Sequence, residues 1–380
     1  MKATMVVRTK FTQNTAIRSA IRPVDSPVKM LAEVWRQWRR QSARRCESGL
    51  VRNEDDDRFA AGVVSQTRPD VVNLHWLGEG FMGLRSLAKI KSPIVWTLHD
   101  MWALTGGCTY SGGCERFSIG CGECPLAGEG ADRSAGNHAA KRRIVSEGRH
   151  AVACPSRWMA DRAERSAIFR DVRVEVLPNS VDTDLFRPMN STSCREVCGL
   201  PFEPVLMLFG SSGGTGDRRK GFDLLEGALN SLRGTDALSG VELVVFGRRF
   251  DARDLPVPVH FLGEIRDERF MPVIYGACDL LVVPSREDNL PNTMVESIAC
   301  GTPVIGFPVG GIPDLVRERE TGFMAEEVSA SGLAMSLSRA LIDRQRLASL
   351  RTTARDCAVR ELAMPVQAAA YEKLYSEMLA

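Results

Sequence analysis

Two acidic residues, Asp288 and Glu296, are separated by seven positions where an apolar run passes into a helical pattern. The run over 280–283 is typical of a buried strand, and the polar loop after it carries Asp288. A helix is predicted to begin near Asn292, and its N-terminal end together with loop N–H groups could bind a phosphate. Glu296 would then accept hydrogen bonds from a ribose, and Asp288 from a sugar beyond the phosphates. Alternatively, the acids only complement the helix dipole.

A glycine-rich loop that ends in three basic residues follows a second apolar run, over 205–209. Gly210 begins this loop, and Arg218, Arg219 and Lys220 end it. Glycines let the backbone approach a ligand closely, and the three cations could neutralise a diphosphate. Because glycine-rich loops after strands are common, this segment alone does not identify its ligand.

Two histidines in the first half of the chain, His75 and His99, each close an apolar run. Parallel strands end at the same edge of a sheet, where open α/β sheets bind their ligands. A single histidine at such a place is usually structural, but two at equivalent positions favour a functional role, above all for His99.

Four of the eleven cysteines lie within seventeen residues, with the spacing Cys-x5-Cys-x6-Cys-x2-Cys. The Cys-x2-Cys pair with an intervening glycine is typical of tetrahedral zinc sites, and four thiolates would complete a structural centre. The alternatives are free or buried cysteines and a disulfide pair. The predicted metal ligands are Cys108, Cys114, Cys121 and Cys124.

Short β-branched runs alternate with amphipathic stretches along the whole chain, which predicts two parallel α/β domains. Strands are predicted over 70–75, 94–99, 150–155, 174–177, 205–209, 241–246, 260–262, 280–283 and 304–307. Helices are predicted over 139–148, 157–168, 220–232, 268–277, 293–300 and 329–342. The polar segment 177–188 is the predicted link between domains. The predicted domains are 1–178, which contains the cysteine cluster 108–124, and 183–363, followed by a helix in 364–380.

The composition is that of a globular protein, with 44% hydrophobic and 25% charged residues and a net charge of +2. No apolar run approaches the roughly 20 residues that cross a bilayer, and the N-terminus lacks the pattern of a signal peptide. We therefore expect a cytoplasmic protein, with no nucleic-acid partner. Residues 1–52 nevertheless hold twelve Lys/Arg against three acids, and 31–45 form an amphipathic basic pattern. That pattern suits either an anionic membrane surface or a solvated helix docked on its own domain.

The stretch 280–311, with its acid-x7-acid spacing, CGTPV run and GG turn, resembles family-4 retaining glycosyltransferases. The resemblance implies a GT-B fold, with two Rossmann-like domains facing a cleft and a nucleotide-sugar site in the second. The first acid of that motif is usually Glu, so the resemblance assigns the role to Asp288 or to Glu287 before it. The loop residues Asn289 and Leu290 fall in the same donor site.

The resemblance also assigns the donor diphosphate to Lys220 and to an arginine directly after the strand. Here Ser211 and Ser212 follow Gly210, so Arg218 or Arg219 would replace that arginine. Family members place a histidine like His99 beside the donor sugar. They line the base with a segment that corresponds to 263–266, beginning at Gly263.

The GT-B fold predicts that the last helix crosses back to the first domain, and the sequence from residue 99 through the cysteine cluster also resembles family members. Transfer is expected to retain the anomeric configuration without a catalytic metal or an enzyme nucleophile. The donor would be a UDP- or GDP-sugar, and the acceptor a glycan or a lipid-linked precursor, reached by a peripheral protein at the inner membrane face.

The N-terminus departs from the family, because the segment after Met1 resembles the second strand of family members. The first β–α unit, which approaches donor and acceptor, is therefore expected to be missing from the first domain. This leaves open an N-terminally truncated, non-catalytic protein that binds nucleotide sugars. The other alternative is a GT-B sugar epimerase or phosphorylase. A nicotinamide dehydrogenase is disfavoured, since no GxGxxG turn with a downstream acid follows a strand.

Overall fold

The computed structural model describes residues 5–7, 17–19, 58–77, 82–127, 132–211, 213–251 and 254–380. The first two of these segments are short strands, β1 (Met5–Val7) and β2 (Ile17–Ser19), which pair in parallel. The basic pattern over 31–45 and the question of a missing first β–α unit fall outside the described residues. No helix in the described ranges has the length and apolar character that spanning a bilayer requires.

The chain divides into two units, each built around a parallel sheet. The first comprises Met1–Cys154, Met159–Glu175 and Leu374–Ala380, and the second Pro155–Trp158 and Val176–Lys373. The predicted link over 177–188 lies within the second unit, where Val181 forms a bridge with Ala363. The last turns of the C-terminal helix Met364–Leu379 belong to the first unit. There the Asn73 amide donates to the Tyr375 hydroxyl at 2.7 Å.

The sheet of the first unit contains four parallel strands in the order β3-β4-β5-β6. Apart from His150, every residue of the two central strands is buried, which explains why these strands appear as continuous apolar runs in the sequence. The strands are β3 (Val72–Leu74), β4 (Ile94–Thr97), β5 (His150–Cys154) and β6 (Arg173–Val176). The helices of this part of the chain are Arg58–Thr67, Leu84–Leu87, Ser134–Ser146 and Arg157–Arg165, with short 3-10 turns at Trp102–Leu104 and Arg116–Ser118.

The sheet of the second unit contains six parallel strands in the order β12-β11-β10-β7-β8-β9. From β7 the chain adds β8 and β9 on one side, and from β10 it adds β11 and β12 on the other. The strand order therefore reverses between β7 and β10, and open α/β sheets bind ligands at such a switch point. The strands are β7 (Val205–Gly210), β8 (Val241–Phe246), β9 (Val259–Phe261), β10 (Leu280–Val283), β11 (Val304–Gly306) and β12 (Gly322–Met324).

Alternate residues of the central strands supply two hydrophobic layers. Leu206 and Leu208 of β7 enter one layer, while Met207 and Phe209 enter the other. The helices of this unit are Ser191–Cys198, Phe222–Ser231, Met271–Ala277, Asn292–Ala299, Ile312–Leu315, Ala330–Ile342 and Arg344–Cys357. A π-helical turn, Ala358–Leu362, precedes the C-terminal helix.

The predicted α/β class and the parallel sheets are confirmed, and the ends of the nine predicted strands lie within two residues of the observed ends. Strand β12 was missed, because its three residues give no readable periodicity. The helix Ser134–Ser146 begins five residues before the predicted start, since its first turns are too polar to show an apolar face.

Candidate functional site

A buried ion cluster lies where the loops after β7 and β10 meet, at the switch point of the second sheet. The Asp288 carboxylate is 2.5 Å from Lys220 Nζ and 3.1 Å from Arg219 Nη1. Only 5% of Asp288 is exposed, and the Ser285 hydroxyl approaches the same carboxylate oxygen at 3.4 Å. A charge buried this deeply requires partners, and the two cations supply them.

Close backbone packing brings Lys220 to Asp288. Gly221 has a φ of +70°, and a Cβ at this position would lie 1.9 Å from the carbonyl oxygen of Pro284, at the end of β10. Only glycine allows the start of the helix Phe222–Ser231 to pass so near that loop. The preceding turn, Arg218–Lys220, is thereby directed towards Asp288.

The GG turn after β11 supports the acidic loop from the other side. Gly310 has a φ of +56°, and a Cβ there would lie 1.6 Å from the carbonyl oxygen of Asp288. The Gly311 amide donates to that same carbonyl oxygen at 3.2 Å. The two glycines therefore fix the position of the loop that carries Asp288.

The glycine-rich loop after β7 packs against the chain that follows β8. A Cβ at Gly214, whose φ is +75°, would lie 2.1 Å from the carbonyl oxygen of Arg249. A Cβ on Gly210 would overlap the Phe246 ring at 2.0 Å. Ser211 is buried in this loop, and its hydroxyl has no hydrogen-bond partner among the residues that the structure describes.

The other predicted donor-site residues occupy distinct places around the cluster. Arg219 contacts Asp288 and also donates to the carbonyl oxygen of Glu287 at 2.9 Å, whereas the carbonyl oxygen of Arg218 accepts from Arg286. Asn289 is buried and accepts a hydrogen bond from the Ser156 hydroxyl at 2.7 Å. Leu290 is buried in the core. Asp288 forms ion pairs with both cations. Its side chain therefore reaches them although it is one methylene shorter than the Glu that is usual at this position of the motif.

Glu296 lies on the second turn of the helix Asn292–Ala299, where its carboxylate accepts a hydrogen bond from the Tyr275 hydroxyl at 2.7 Å. Burial raises the pKa of Glu296 to about 7, and the negative charge of Glu268 raises it further. The hydrogen bond from Tyr275 lowers the pKa and so opposes both effects. Sequence reasoning missed Tyr275, because it lies in an apolar helix. Gly263, the predicted base-side residue, has a φ of +74° in the turn after β9.

The two predicted histidines of the first unit are hydrogen-bonded to each other. His75 Nδ1 and His99 Nε2 are 2.8 Å apart, and the rings stack with centroids 5.1 Å apart. Desolvation lowers the pKa of both rings, and the neighbouring His75 helps to lower that of His99 to about 4. Both rings are therefore neutral at physiological pH, with one donating and the other accepting. The sequence placed them at neighbouring strand ends but did not predict this contact.

The four clustered cysteines line one small cavity, of about 20 Å³, in the first unit. All four are free thiols, and the Gly106 amide donates to Cys121 Sγ at 3.2 Å. Cys121 and Glu123 have positive φ values of 58° and 47°, which non-glycine residues rarely adopt. Within the described residues, no three His, Cys, Asp or Glu side chains are already arranged to hold a metal ion.

A lysine without exposed surface lies beside the cysteine cavity. Lys141, on the helix Ser134–Ser146, donates to the carbonyl oxygen of Thr105 at 3.0 Å and lies 3.7 Å from the centre of the Trp102 ring. Burial lowers the pKa of Lys141 to about 7, and the nearby Cys108, Asp100 and Cys121 oppose that shift. Sequence reasoning missed this residue, because the surrounding helix reads as polar.

Two protein-family models together match most of the chain. Residues 31–185 match the model described as Glycosyltransferase Family 4, and residues 203–343 match the model described as Glycosyl transferases group 1. The second match contains the complete ion cluster and Glu296.

The chain is also similar to curated glycosyltransferases in sequence and to solved structures in fold. The D-inositol 3-phosphate glycosyltransferase of Mycolicibacterium smegmatis is 28% identical over 341 residues, which cover 84% of this chain and 72% of the relative. Sucrose-phosphate synthase from Thermosynechococcus elongatus superimposes with a TM-score of 0.64 at 21% identity, covering 84% of this chain and 76% of that chain. Anabaena HepE in complex with UDP-glucose superimposes with a TM-score of 0.59 at 20% identity, covering 84% and 82%. The two structural likenesses show a shared fold.

Proposed function

Because this chain belongs to the group 1/family 4 glycosyltransferases, which adopt the GT-B fold, we propose that it transfers a sugar from a nucleoside-diphosphate sugar to a glycan or lipid-linked acceptor, retaining the anomeric configuration. The main support for this function is the ion cluster of Lys220, Arg219 and Asp288, which lies at the switch point of the second sheet. It places two cations and a carboxylate where such sheets bind nucleotides.

The proposed donor contacts follow from the charges and hydrogen-bonding capacity of the site. Lys220 and Arg219 bind the diphosphate, with the N-terminal end of the helix Asn292–Ala299 adding a partial positive charge. Asp288 exchanges its cation contacts for hydroxyls of the donor sugar. Glu296 accepts the hydroxyls of the ribose.

In the proposed transfer step, the bond between the anomeric carbon and the diphosphate oxygen breaks, and its electron pair stays on that oxygen. Lys220 and Arg219 stabilise the developing negative charge, while positive charge spreads over the sugar ring as in an oxocarbenium ion. The acceptor hydroxyl attacks the same face of the sugar, and its proton passes to the leaving phosphate oxygen. His99 is proposed to hydrogen-bond a donor hydroxyl as a neutral ring.

The relatives suggest which substrates to test first. HepE has been solved with UDP-glucose, so UDP-sugars are the first donors, with GDP-sugars next. The Mycolicibacterium relative is named for D-inositol 3-phosphate, so a phosphorylated polyol joins the lipid-linked acceptors. Peripheral contact of 31–45 with anionic lipid is proposed for membrane-bound acceptors, and cosedimentation with anionic against neutral vesicles tests it.

A nucleotide-sugar panel tests the proposed function. We expect one UDP- or GDP-sugar to bind by isothermal titration and to be hydrolysed slowly without acceptor, and Asp288→Asn to abolish hydrolysis. Binding without hydrolysis or transfer to any acceptor would favour a non-catalytic nucleotide-sugar-binding protein. Interconversion of the donor sugar, followed by NMR, would identify an epimerase instead.

We also propose that Cys108, Cys114, Cys121 and Cys124 hold a structural zinc ion. The four thiols line one cavity, and the buried amine of Lys141 lies beside it, where four thiolates would favour its charged form. Because the sulfurs are not already arranged for coordination, binding requires them to rotate towards the middle of the cavity.

Metal analysis of protein purified without chelator tests this centre. We expect near-stoichiometric zinc in the wild type and its loss, with a lower melting temperature, in Cys121→Ser. The matched control is Cys154→Ser, which changes a buried cysteine of the same unit in β5 and should keep the metal. Wild-type protein without zinc would contradict the proposal.

A further inference from the structure

The carboxylate of Glu296 is held by a side chain that is itself fixed in the core. Tyr275 is completely buried on the helix Met271–Ala277, and its hydroxyl donates to Glu296 Oε2 at 2.7 Å. The carbonyl oxygen of Tyr275 accepts a hydrogen bond from the Thr302 hydroxyl at 2.8 Å. The next residue, Gly276, packs so tightly that a Cβ there would lie 2.9 Å from Cys194 Sγ. The phenol therefore presents its hydroxyl at a fixed point.

The groups around Glu296 act on its carboxyl in different directions: some oppose its charged form and one favours it. Glu268, in the turn before the Tyr275 helix, opposes the charged form of Glu296 through like-charge repulsion. Cys300, one residue beyond the Glu296 helix, is a buried thiol whose own pKa is raised by burial and by Glu296. The positive charges of Arg351 and Arg355 oppose this increase in the pKa of Cys300. Tyr275 is the group that favours the carboxylate, because its hydroxyl donates to the charged form.

We propose that Tyr275 is a positioning residue for donor binding, whose hydroxyl holds the Glu296 carboxylate in the orientation and charged form that can accept both hydroxyls of a ribose. This inference rests on the proposed nucleotide-sugar function. A carboxylate has about four acceptor positions, so the Tyr275 hydrogen bond leaves enough for two ribose hydroxyls. A protonated carboxyl group has a donor in place of one of those acceptors, and it would bind the ribose less well.

The sign of the pH dependence follows from the direction of the Glu296 shift. Burial raises the pKa of Glu296 to about 7. Donor affinity should therefore be highest above that pH, where the carboxylate is charged, and should fall as the pH decreases through it. Removing the Tyr275 hydroxyl removes a bond that favours the charged form, so the pKa of Glu296 rises further. Removing the charge of Glu268 acts in the opposite direction.

Isothermal titration with UDP-glucose, or with the donor that the panel selects, tests the inference between about pH 6 and pH 8.5. A diphosphate diester has no titrating phosphate in this range, so the profile reports the protein. We expect Tyr275→Phe to move the midpoint of binding upwards by about one pH unit and Glu268→Gln to move it downwards. At the highest pH, all three proteins should agree within about twofold.

The control is Tyr375→Phe, which removes a phenolic hydroxyl that bonds Asn73 in the first unit and should leave the midpoint unchanged. Equal weakening of Tyr275→Phe at every pH would show a purely structural role and overturn the inference. Unchanged midpoints in both Tyr275→Phe and Glu268→Gln would also overturn it. Absence of donor binding in the wild type would instead contradict the proposed function, so the two failures are distinguishable.

Discussion

Replacing Lys220 by alanine is expected to lower kcat/KM for glycosyl transfer by about 100- to 1,000-fold, the cost of losing one preorganised group that stabilises transition-state charge. Lys220 Nζ lies 2.5 Å from a carboxylate that is itself buried, so its position is fixed before the donor arrives. Initial rates over a range of donor concentrations measure the effect. Most of the loss should fall on kcat, because the leaving diphosphate carries more charge in the transition state than in the bound donor.

The matched control is Arg218→Ala, two residues earlier in the same short turn. The structure brings Arg219 and Lys220, but not the Arg218 side chain, into hydrogen bonds with Asp288. We expect Arg218→Ala to change kcat/KM by less than about fivefold, since an exposed charge is well screened. Comparable losses in the two variants would show that general positive charge, rather than the ion cluster, supports transfer. Arg219 still pairs with Asp288 in Lys220→Ala, so the melting temperature should fall only slightly.

Replacing Gly310 by alanine is expected to destabilise the protein by about 3 kcal/mol or more and to abolish most activity. A Cβ at this position would lie 1.6 Å from the carbonyl oxygen of Asp288, and the φ of +56° is unfavourable for any residue with a side chain. Relief of the overlap must move the loop that carries Asp288. Denaturant unfolding measures the loss of stability, and the donor hydrolysis rate measures the displacement of the loop.

Gly199→Ala separates the overlap from the backbone strain. Gly199 ends the helix Ser191–Cys198 with a φ of +64°, but a Cβ there would have no atom within 4 Å. We expect a loss of about 1 kcal/mol from the left-handed conformation alone and normal kinetics. If Gly310→Ala behaves like Gly199→Ala, the GG turn does not set the position of Asp288.

Sequence reasoning reached the parts of the candidate site that lie on one continuous segment. Asp288, the helix start near Asn292 and Glu296 were read from a single stretch, because an apolar run, a polar loop and a helical pattern follow one another there. The contact between Asp288 and Lys220 joins residues 68 positions apart. That contact depends on β10 pairing with β7, and strand order is not encoded in local periodicity.

Local sequence patterns also failed to predict the roles of two buried residues and one short strand. Tyr275 lies in an apolar helix, where a phenol is indistinguishable from a core residue until its hydroxyl is seen beside Glu296. Lys141 lies in a polar helical stretch, so its complete burial gave no signal. The central strands were predictable because burial on both faces leaves continuous apolar runs. The three-residue β12 pairs at the sheet edge and carries no comparable pattern.

The ion cluster also bears on how the reaction ends. In the proposed reaction, the nucleoside diphosphate that remains after sugar transfer would still contact Lys220 and Arg219, but it would offer no sugar hydroxyls to the buried Asp288 carboxylate. Asp288 would then regain the contacts with both cations that it makes in this structure. On the proposed function, the carboxylate would therefore compete with the departing diphosphate for the two cations, and we expect it to speed product release and to relieve product inhibition.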